Sequence, residues 1–357
     1  MSFLLVFLSA LHLLLWIVLL ANWRYLQKHA RFKPAGDAWP FVSVLVPARN
    51  EAANLSRLLP SLLGQDYPKL ELIVYDDASE DVTPVILRRY SSDPRLRVLR
   101  GEGVPPGWVG KVHALYQATR KARGTLYLFL DADTELLRPD ALRRLVARYR
   151  ALPTSTVVTA LPQMRGGGQL LVSLVPLMIL AGLPWPLVHR VRHPLLAALN
   201  GQCWLIDATT YHQLEPHRHH KNEVLEDVQI GRYLKQHGLI PVMLDLRQEQ
   251  AVYMSASLKA ACKGFRKNDY LLMGGRVMPF MLLWIGYGFT LVWAPLVNWI
   301  FLLSIVGLKL FVDGLMGHPL WLSLLSPVSH LLAWVLQLDS ALAHWRKRVT
   351  WKSRLVT

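Results

Sequence analysis

Thr125-Leu126-Tyr127-Leu128-Phe129-Leu130-Asp131-Ala132-Asp133 decides the fold: an apolar, β-forming run that stops on two carboxylates one residue apart. A run this short and continuous, bounded by Gly124 and by acids, suits a buried strand better than a helix. Working upstream, Lys111 to Arg123 reads as a helix and Leu96 to Leu99 as a short strand. Thr83 to Ser91 reads as a helix, Leu70 to Tyr75 as a strand, Leu55 to Leu63 as a helix, and Phe41 to Val46 as the first strand. Pro47 stops that strand, and Asn50 or Asn54 can start the helix after it. Strands alternating with helices predict an α/β fold with a mostly parallel sheet. Ligands of open α/β sheets sit beyond the carboxyl ends of the strands. Two of these strands end in acids: Asp131-Ala132-Asp133, and Asp76-Asp77-Ala78-Ser79 after Tyr75.

Three constellations can carry chemistry. Asp131 and Asp133 can share a divalent cation, which bridges diphosphate oxygens and neutralises a leaving nucleoside diphosphate. The bland alternative is a turn or a helix cap. The run from Tyr75 to Asp81 offers a carboxylate to a base or ribose, or forms an Asx turn. Leu225-Glu226-Asp227-Val228 precedes an amphipathic helix with Ile230, Tyr233 and Leu234. A carboxylate here can take a proton from an acceptor hydroxyl, or merely cap the helix at its positive end. The preceding His217, His219 and His220 fit no defined ligand spacing and read as a surface loop.

Together, Val46 to Glu51 (VPARNE), Tyr75 to Asp81 (YDDASED), Leu128 to Thr134 (LFLDADT) and Leu225 to Val228 (LEDV) resemble family 2 glycosyltransferases with the GT-A (Rossmann-like) fold. The four motifs occur in order, and the resemblance covers roughly residues 41–238. It implies that Pro47, Ala48, Asn50 and Glu51 form the nucleotide-side loop and that Asp77 contacts the base. It further implies that Asp131 faces the sugar or ribose, Asp133 holds the metal (Mg²⁺ or Mn²⁺), and Asp227 is the catalytic base with Glu226 beside it. The implied donor is a nucleotide sugar, UDP-linked, and the implied reaction inverts the anomeric centre. Pro106-Gly107-Trp108-Val109-Gly110-Lys111 is similar to the membrane glycosyltransferases of carotenoid and hopanoid pathways, as are Gly264 to Asn268 and Trp351 to Arg354. Lys111 is expected to pair with donor phosphate, and Trp108 to pack on sugar or base at the acceptor side. Gly201 and Gln202 sit where such enzymes place an acceptor-side loop. Two departures stand out. The Q-x-x-R-W motif of processive synthases is missing, which argues for adding one sugar or few. Asp207 stands where a basic residue is expected.

The ends of the chain point to a membrane. Of 357 residues, 52% are hydrophobic, and the apolar ones cluster at both ends. Ser2 to Ala21 carries no charge and is long enough to span a bilayer. Trp23, Tyr25, Arg24, Lys28, Arg31 and Lys33 follow it, so residues 1–23 are read as an uncleaved anchor leading to the cytoplasm. The glycosyltransferase domain is expected over 40–250, with 169–200 lying on the membrane because Pro176, Pro184, Pro186 and Pro194 interrupt it. A basic amphipathic interface helix is expected over 255–275, transmembrane helices over 276–340, and a basic cytoplasmic tail over 341–357. Met278 to Leu308 is too long for one span and predicts two helices meeting near Ala294 and Pro295, with Leu320 to Leu338 as a third. The basic tail favours an even number of crossings.

Net charge is +16. No zinc-finger spacing or RNP-like motif accompanies it, so basic juxtamembrane surface is the reading and nucleic acid is not an expected partner. Cys203 and Cys262 read as packing residues of a reducing compartment. The expectation is a multi-pass enzyme of the inner (cytoplasmic) membrane acting on a lipid acceptor, a carotenoid- or hopanoid-type alcohol. The alternatives are a polyisoprenyl-phosphate acceptor and a non-enzymatic membrane protein with a degenerate nucleotide fold.

Overall fold

The computed structural model describes residues 2–29, 38–351 and 354–355. Arg31, Lys33 and Lys352 fall outside them. In chain order the elements are α1 (Ser2–His29), β1 (Val42–Ala48), α2 (Ala52–Leu63), β2 (Leu70–Asp76), α3 (Thr83–Arg89), β3 (Leu96–Arg100), α4 (Gly110–Thr119), β4 (Leu126–Leu130), β5 (Thr134–Leu136), α5 (Ala141–Arg150), β6 (Thr156–Leu161), β7 (Gln163–Arg165), α6 (Gln169–Val172), α7 (Leu174–Gly182), α8 (Trp185–Arg190), β8 (Cys203–Asp207), α9 (Ala208–Leu214), α10 (Pro216–His219), α11 (Glu226–Gln236), β9 (Ile240–Asp245), β10 (Gln250–Tyr253), α12 (Leu258–Leu272), α13 (Val277–Tyr287), α14 (Ala294–Val297), α15 (Trp299–Met316), α16 (Trp321–Leu324) and α17 (Ser326–Trp345). The chain divides into two compact units. One comprises 25–163 and 185–252; the other comprises 1–24, 164–184 and 253–357.

The first unit is built on a seven-stranded sheet of order β3-β2-β1-β4-β8-β6-β9. β1 runs parallel to β2 and β4, β2 to β3, and β6 to β9; β8 alone is antiparallel, to β4 and β6. The mostly parallel sheet is therefore as the sequence predicts. Alternation along the strands fills both faces. Val42, Val44, Val46, Leu72, Val74, Leu128 and Leu130 face Leu55, Leu58, Leu59 and Leu62 of α2. Leu45, Ile73, Tyr127 and Phe129 face Leu115 of α4, Tyr211 of α9, and Ile230 and Leu234 of α11. The register Leu130↔Cys203 follows from the antiparallel run of β8. It brings Asn200-Gly201-Gln202, which precede β8, to the same sheet edge as Asp131, which follows β4.

The second unit holds the apolar helices. Phe3–His29, Val277–Val297 and Trp299–Met316 are long and apolar enough to cross a membrane, by length and composition. The break between the last two falls at Asn298, not at Ala294 and Pro295 as the hydropathy run predicts. Asn298 is extended (φ −145°) and its side chain accepts a hydrogen bond from Ile300 N, capping α15. Pro295 stays inside the preceding helical run, just after a π-helical stretch, Gly288–Trp293. A wide turn of this kind relieves the clash and missing donor that a proline brings to a helix. The third C-terminal run is divided between α16 and α17, and among the described residues it does not reach a span's apolarity. Among the described residues, two C-terminal helices are candidate spans by length and composition. The apolar run at 169–188 is broken, as its prolines predict: α6 and α7 meet at Ser173, and α7 ends at Gly182 before Pro184.

Candidate active site

Every residue singled out for catalysis or donor binding belongs to the sheet-bearing unit. Five of them make direct contact. Lys111, in the first turn of α4, places Nζ 2.8 Å from Asp131 Oδ1 and 2.9 Å from Glu226 Oε1. Gly201 N donates to Asp227 Oδ2 at 2.8 Å, and Val228 N donates to Asp227 Oδ1 at 2.9 Å. A Cβ built on Gly201 would lie 3.0 Å from both Asp227 Oδ2 and Lys111 Nζ. The cluster thus comes from the end of β4, the start of α4, the loop before β8 and the N-terminus of α11, which are far apart in the chain.

Burial sets the electrostatics. It pushes the Asp227 carboxyl up to about 6, the neighbouring Glu226 pushes the same way, and Lys111 with the Gly201 and Val228 amides pulls it part of the way back. Burial also raises the Asp131 carboxyl; Lys111 opposes this, while Glu226 and Glu51 add to it. For Lys111, burial works against the ammonium, but Asp131, Glu226 and Asp227 outweigh it and hold its pKa well above the usual lysine value. The expectation that Lys111 pairs with phosphate therefore needs a qualification: its ammonium is already bridged by two carboxylates.

The residues expected on the nucleotide side form a second group. Pro47 and Ala48 end β1 in register with Tyr75 and Asp76. Asp77 N donates to Ala48 O at 2.8 Å, and Arg49 Nη1 donates to Asp77 O at 2.8 Å. Asn50 N donates to Ser79 Oγ, Glu80 N donates to Asn50 Oδ1, and Glu51 N donates to Thr83 Oγ1. Asn50 (φ 52°) and Ala78 (φ 51°) are both left-handed. Such backbone at non-glycine residues persists where surrounding bonds over-determine it, typically at ligand loops. Asp76 and Asp77 are buried.

Trp108, just before α4, packs against that helix, with ring centroids 5.4 Å from His113 (edge-on) and 5.1 Å from Tyr116 (tilted). His113 in turn meets Tyr75 edge-on at 6.0 Å. Burial lowers the His113 pKa, with Asp77 opposing. Trp108 thus continues a ring wall that leads toward Asp77. Gln202 O accepts from Thr134 Oγ1 and Gln250 Nε2. Asp207, the departure from the expected basic residue, caps α9 by accepting from Thr210 N at 2.9 Å.

Asp133 lies in the turn between β4 and β5, just past Asp131. Among the described residues no group of three or more His, Cys, Asp and Glu is placed to hold a metal ion. An ion such as Mg²⁺ or Mn²⁺ needs only one or two protein carboxylates when substrate phosphates complete its shell. The hard carboxylate oxygens of Asp133 and Asp131 are the right chemistry for it.

One reading of the sequence is overturned. His217 is not in a surface loop. It is fully buried, bonded to Tyr211 Oη at 2.7 Å and packed on Phe129 and Trp204. Burial drives its pKa down to about 3, so it is a neutral core residue. Two further positions bear on the shape of the site. His113 carried no local signal. Gly231 did, as a glycine inside an amphipathic helix pattern. A Cβ there would lie 2.9 Å from Leu199 N and 3.0 Å from Ala198 C. Both are backbone atoms and cannot swing away. Gly231→Ala is expected to push α11 off the 198–200 segment and cost about 1–3 kcal/mol. Thermal melting checks the cost, and a larger fractional loss of kcat than of stability would show that the Gly201–Asp227 contact had been displaced.

With this geometry in place, similarity to known proteins is informative. Residues 43–182 match the profile described as Glycosyl transferase family 2. Over those residues the chain resembles a family 2 glycosyltransferase domain. An N-acetylglucosaminyltransferase of Mesorhizobium japonicum is 39% identical over 121 residues, 33% of this chain and 27% of that protein. A 4,4'-diaponeurosporenoate glycosyltransferase of Staphylococcus aureus is 35% identical over 109 residues, 30% of this chain and 28% of that protein. The matches therefore span little more than a quarter of either relative. A mannosyltransferase from Pyrobaculum calidifontis, solved with GDP-Man and Mn²⁺, superposes with a TM-score of 0.60 at 20% identity, covering 96% of this chain and 99% of that one. The chain shares that GT-A fold, and its sequence resembles the carotenoid glycosyltransferases.

Proposed function

We propose that this glycosyltransferase moves a sugar, with inversion, from a UDP-linked donor to the hydroxyl of a carotenoid- or hopanoid-type lipid at the cytoplasmic face of the inner membrane. One observation carries the reading. The Asp227 carboxylate is fixed by two backbone amides at the start of α11, beside Glu226 and Lys111, with its pKa raised to about 6. A base tuned toward the working pH and held in one orientation suits removal of a hydroxyl proton. Asp227 takes that proton as the acceptor oxygen bonds to the anomeric carbon and the carbon–oxygen bond to the diphosphate breaks. The Asn50–Glu51 loop and Asp77 hold the nucleoside, Asp131 orients the sugar or ribose, and Trp108, Gly201 and Gln202 border the acceptor. A divalent ion at Asp133 would supply neutralising charge to the departing diphosphate.

A polyisoprenyl phosphate is a weaker acceptor candidate. It is already ionised and needs no base, and two of the nearby cations are paired: Lys111 with Asp131 and Glu226, Arg218 with Glu215. The lipid character of the acceptor draws support from the candidate spans and from the diaponeurosporenoate relative. Basic residues flanking the spans support the cytoplasmic orientation.

The test incubates membranes containing the protein with a panel of radiolabelled nucleotide sugars and extracts them with organic solvent. Label is expected in the organic phase with one donor, lost on chelation with EDTA and regained with Mn²⁺ or Mg²⁺. Label confined to the aqueous phase with every donor would rule out a lipid acceptor. Turnover unaffected by EDTA would rule out the ion at Asp133.

A further inference from the structure

His113, in α4, has no part in the proton transfer proposed for Asp227. It is 6% exposed, and among the described residues nothing hydrogen-bonds its Nδ1. The other ring nitrogen fixes the tautomer. Gln117, one helical turn on, donates from Nε2 to His113 Nε2 at 3.1 Å. An amide NH₂ only donates, so His113 Nε2 accepts and the neutral ring carries its proton on Nδ1. Burial lowers the His113 pKa, with Asp77 opposing, which keeps the ring neutral at neutral pH. The result is a buried N–H donor, and such a donor is costly to leave unsatisfied.

The surroundings of that donor are built by the sheet-bearing unit alone. Tyr75, near the end of β2, meets the His113 ring edge-on at 6.0 Å, and Trp108 meets it edge-on at 5.4 Å. Tyr75 is held in turn by backbone: Gly101 N donates to Asp76 O at 2.8 Å, and a Cβ on Gly101 would lie 2.7 Å from Tyr75 Oη. Just past Tyr75 stands Asp77, fixed through its own N–H to Ala48 O. Its charge reaches both the His113 ring and the Tyr75 hydroxyl. A donor on α4 and a carboxylate at the end of β2 therefore lie near one another, at the strand ends where α/β sheets take their ligands.

That pairing selects a chemistry. An acceptor beside a donor matches a ring N–H flanked by a carbonyl oxygen: N3–H with O2 or O4 in uracil, or N1–H with O6 in guanine. Cytosine, held in the same frame by its ribose, would turn the lone pair of its N3 toward the carboxylate. We propose that His113 Nδ1–H donates to the carbonyl oxygen next to the ring N–H that Asp77 accepts, which makes His113 a base-selecting residue of the donor site. The proposal rests on the reading that Asp77 holds the nucleoside.

The experiment measures nucleotide binding by isothermal titration calorimetry to the full-length protein in detergent with Mn²⁺. It compares wild type with H113F, which keeps a ring and removes both nitrogens, and with H113Q, which restores a donor. Wild type is expected to prefer UDP to CDP by about 10–100-fold, the scale of a paired contact to a base edge. It should bind one of 2-thio-UDP and 4-thio-UDP about 3–10-fold more weakly than UDP, because sulfur is the weaker acceptor. H113F should lose about 3–10-fold in UDP affinity and bind that analogue as tightly as UDP, and H113Q should regain the difference. Coupling of this kind requires direct contact, whereas a structural role weakens every nucleotide alike. Melting curves check folding, and H113L replaces H113F if the latter does not melt cooperatively. A thio penalty that is absent in wild type, or equal in wild type and variant, overturns the contact. A wild type that prefers GDP overturns the UDP-linked donor alone; 6-thio-GDP then takes the place of the thio-UDP pair, with the same two outcomes. A wild type that binds none of these nucleotides overturns the donor reading and the proposal together.

Discussion

Asp227→Asn is expected to lower kcat by about 10³–10⁴-fold, the upper range for loss of a positioned general base, while leaving donor binding near wild type. The proposed donor contacts reside in the Pro47–Glu51 loop, Asp77 and Asp131, and asparagine keeps the shape of aspartate. Two opposing effects keep stability nearly unchanged. Asparagine offers one acceptor oxygen where Asp227 uses both, so Gly201 N or Val228 N loses its partner, at a cost of about 1 kcal/mol. Against this, the wild-type carboxyl has a folded pKa raised to about 6. A raised carboxyl pKa favours folding only while the group is protonated. The resulting penalty grows as pH climbs past the unfolded value and is complete above about 6. At neutral pH the variant escapes that penalty. The same value fixes the wild-type rate profile: turnover falls as pH drops through about 6, because the protonated carboxyl cannot accept the hydroxyl proton. Single-turnover kinetics with donor in excess, a donor-binding isotherm and a melting curve together check the prediction. A variant that turns over at wild-type rate would remove Asp227 from the mechanism.

Much of the sheet could be read from the sequence because the information is local. Val42–Ala48, Leu70–Asp76 and Leu126–Leu130 are apolar runs closed by proline or by acids, and in a parallel sheet all such ends fall at one edge. That logic located Asp77, Asp131 and Asp133 with no knowledge of pairing. It could not locate β8, whose reversed direction brings Gly201 to Asp131 and beside Asp227. That contact depends on strand order, which a run of residues does not encode. Helix starts were legible where a cap residue was present, as at Ser257. Asn298 was passed over because Pro295 is the stronger local signal for a break; the π-helical stretch that accommodates Pro295 depends on packing around it. His217 misled for a similar reason. Histidine clusters are usually solvated, and only the stacked Phe129–Trp204 pair, ring centroids 4.0 Å apart, gives this one an apolar place.

Lys111 should prove the second most sensitive position, because one ammonium serves three carboxylates. Lys111→Met leaves Asp131, Glu226 and Asp227 facing one another. Breaking a buried pair costs several kcal/mol and an exposed one almost nothing; with 31% of the lysine side chain exposed, about 1–3 kcal/mol is expected. The sign of its pH dependence follows from the charges. Without the ammonium the Asp131 and Asp227 carboxyls, already raised, go higher still in the folded state, so the deficit appears as pH rises above about 4 and widens toward neutrality. The variant should melt closest to wild type in acid. Activity at neutral pH is expected to fall about 10²-fold, the scale for removing one preorganised charge. The acid limb should also move to higher pH, since Lys111 is what holds the Asp227 pKa down. Glu226→Gln supplies the control. Glu226 pushes the Asp227 pKa up, so its neutral isostere should move the acid limb to lower pH. General damage to the site would lower both rates and leave the two limbs together. Limbs displaced in opposite directions require that the ammonium and the Glu226 carboxylate act on Asp227 through charge. Limbs that both stay in place would mean that the titrating group is some other residue.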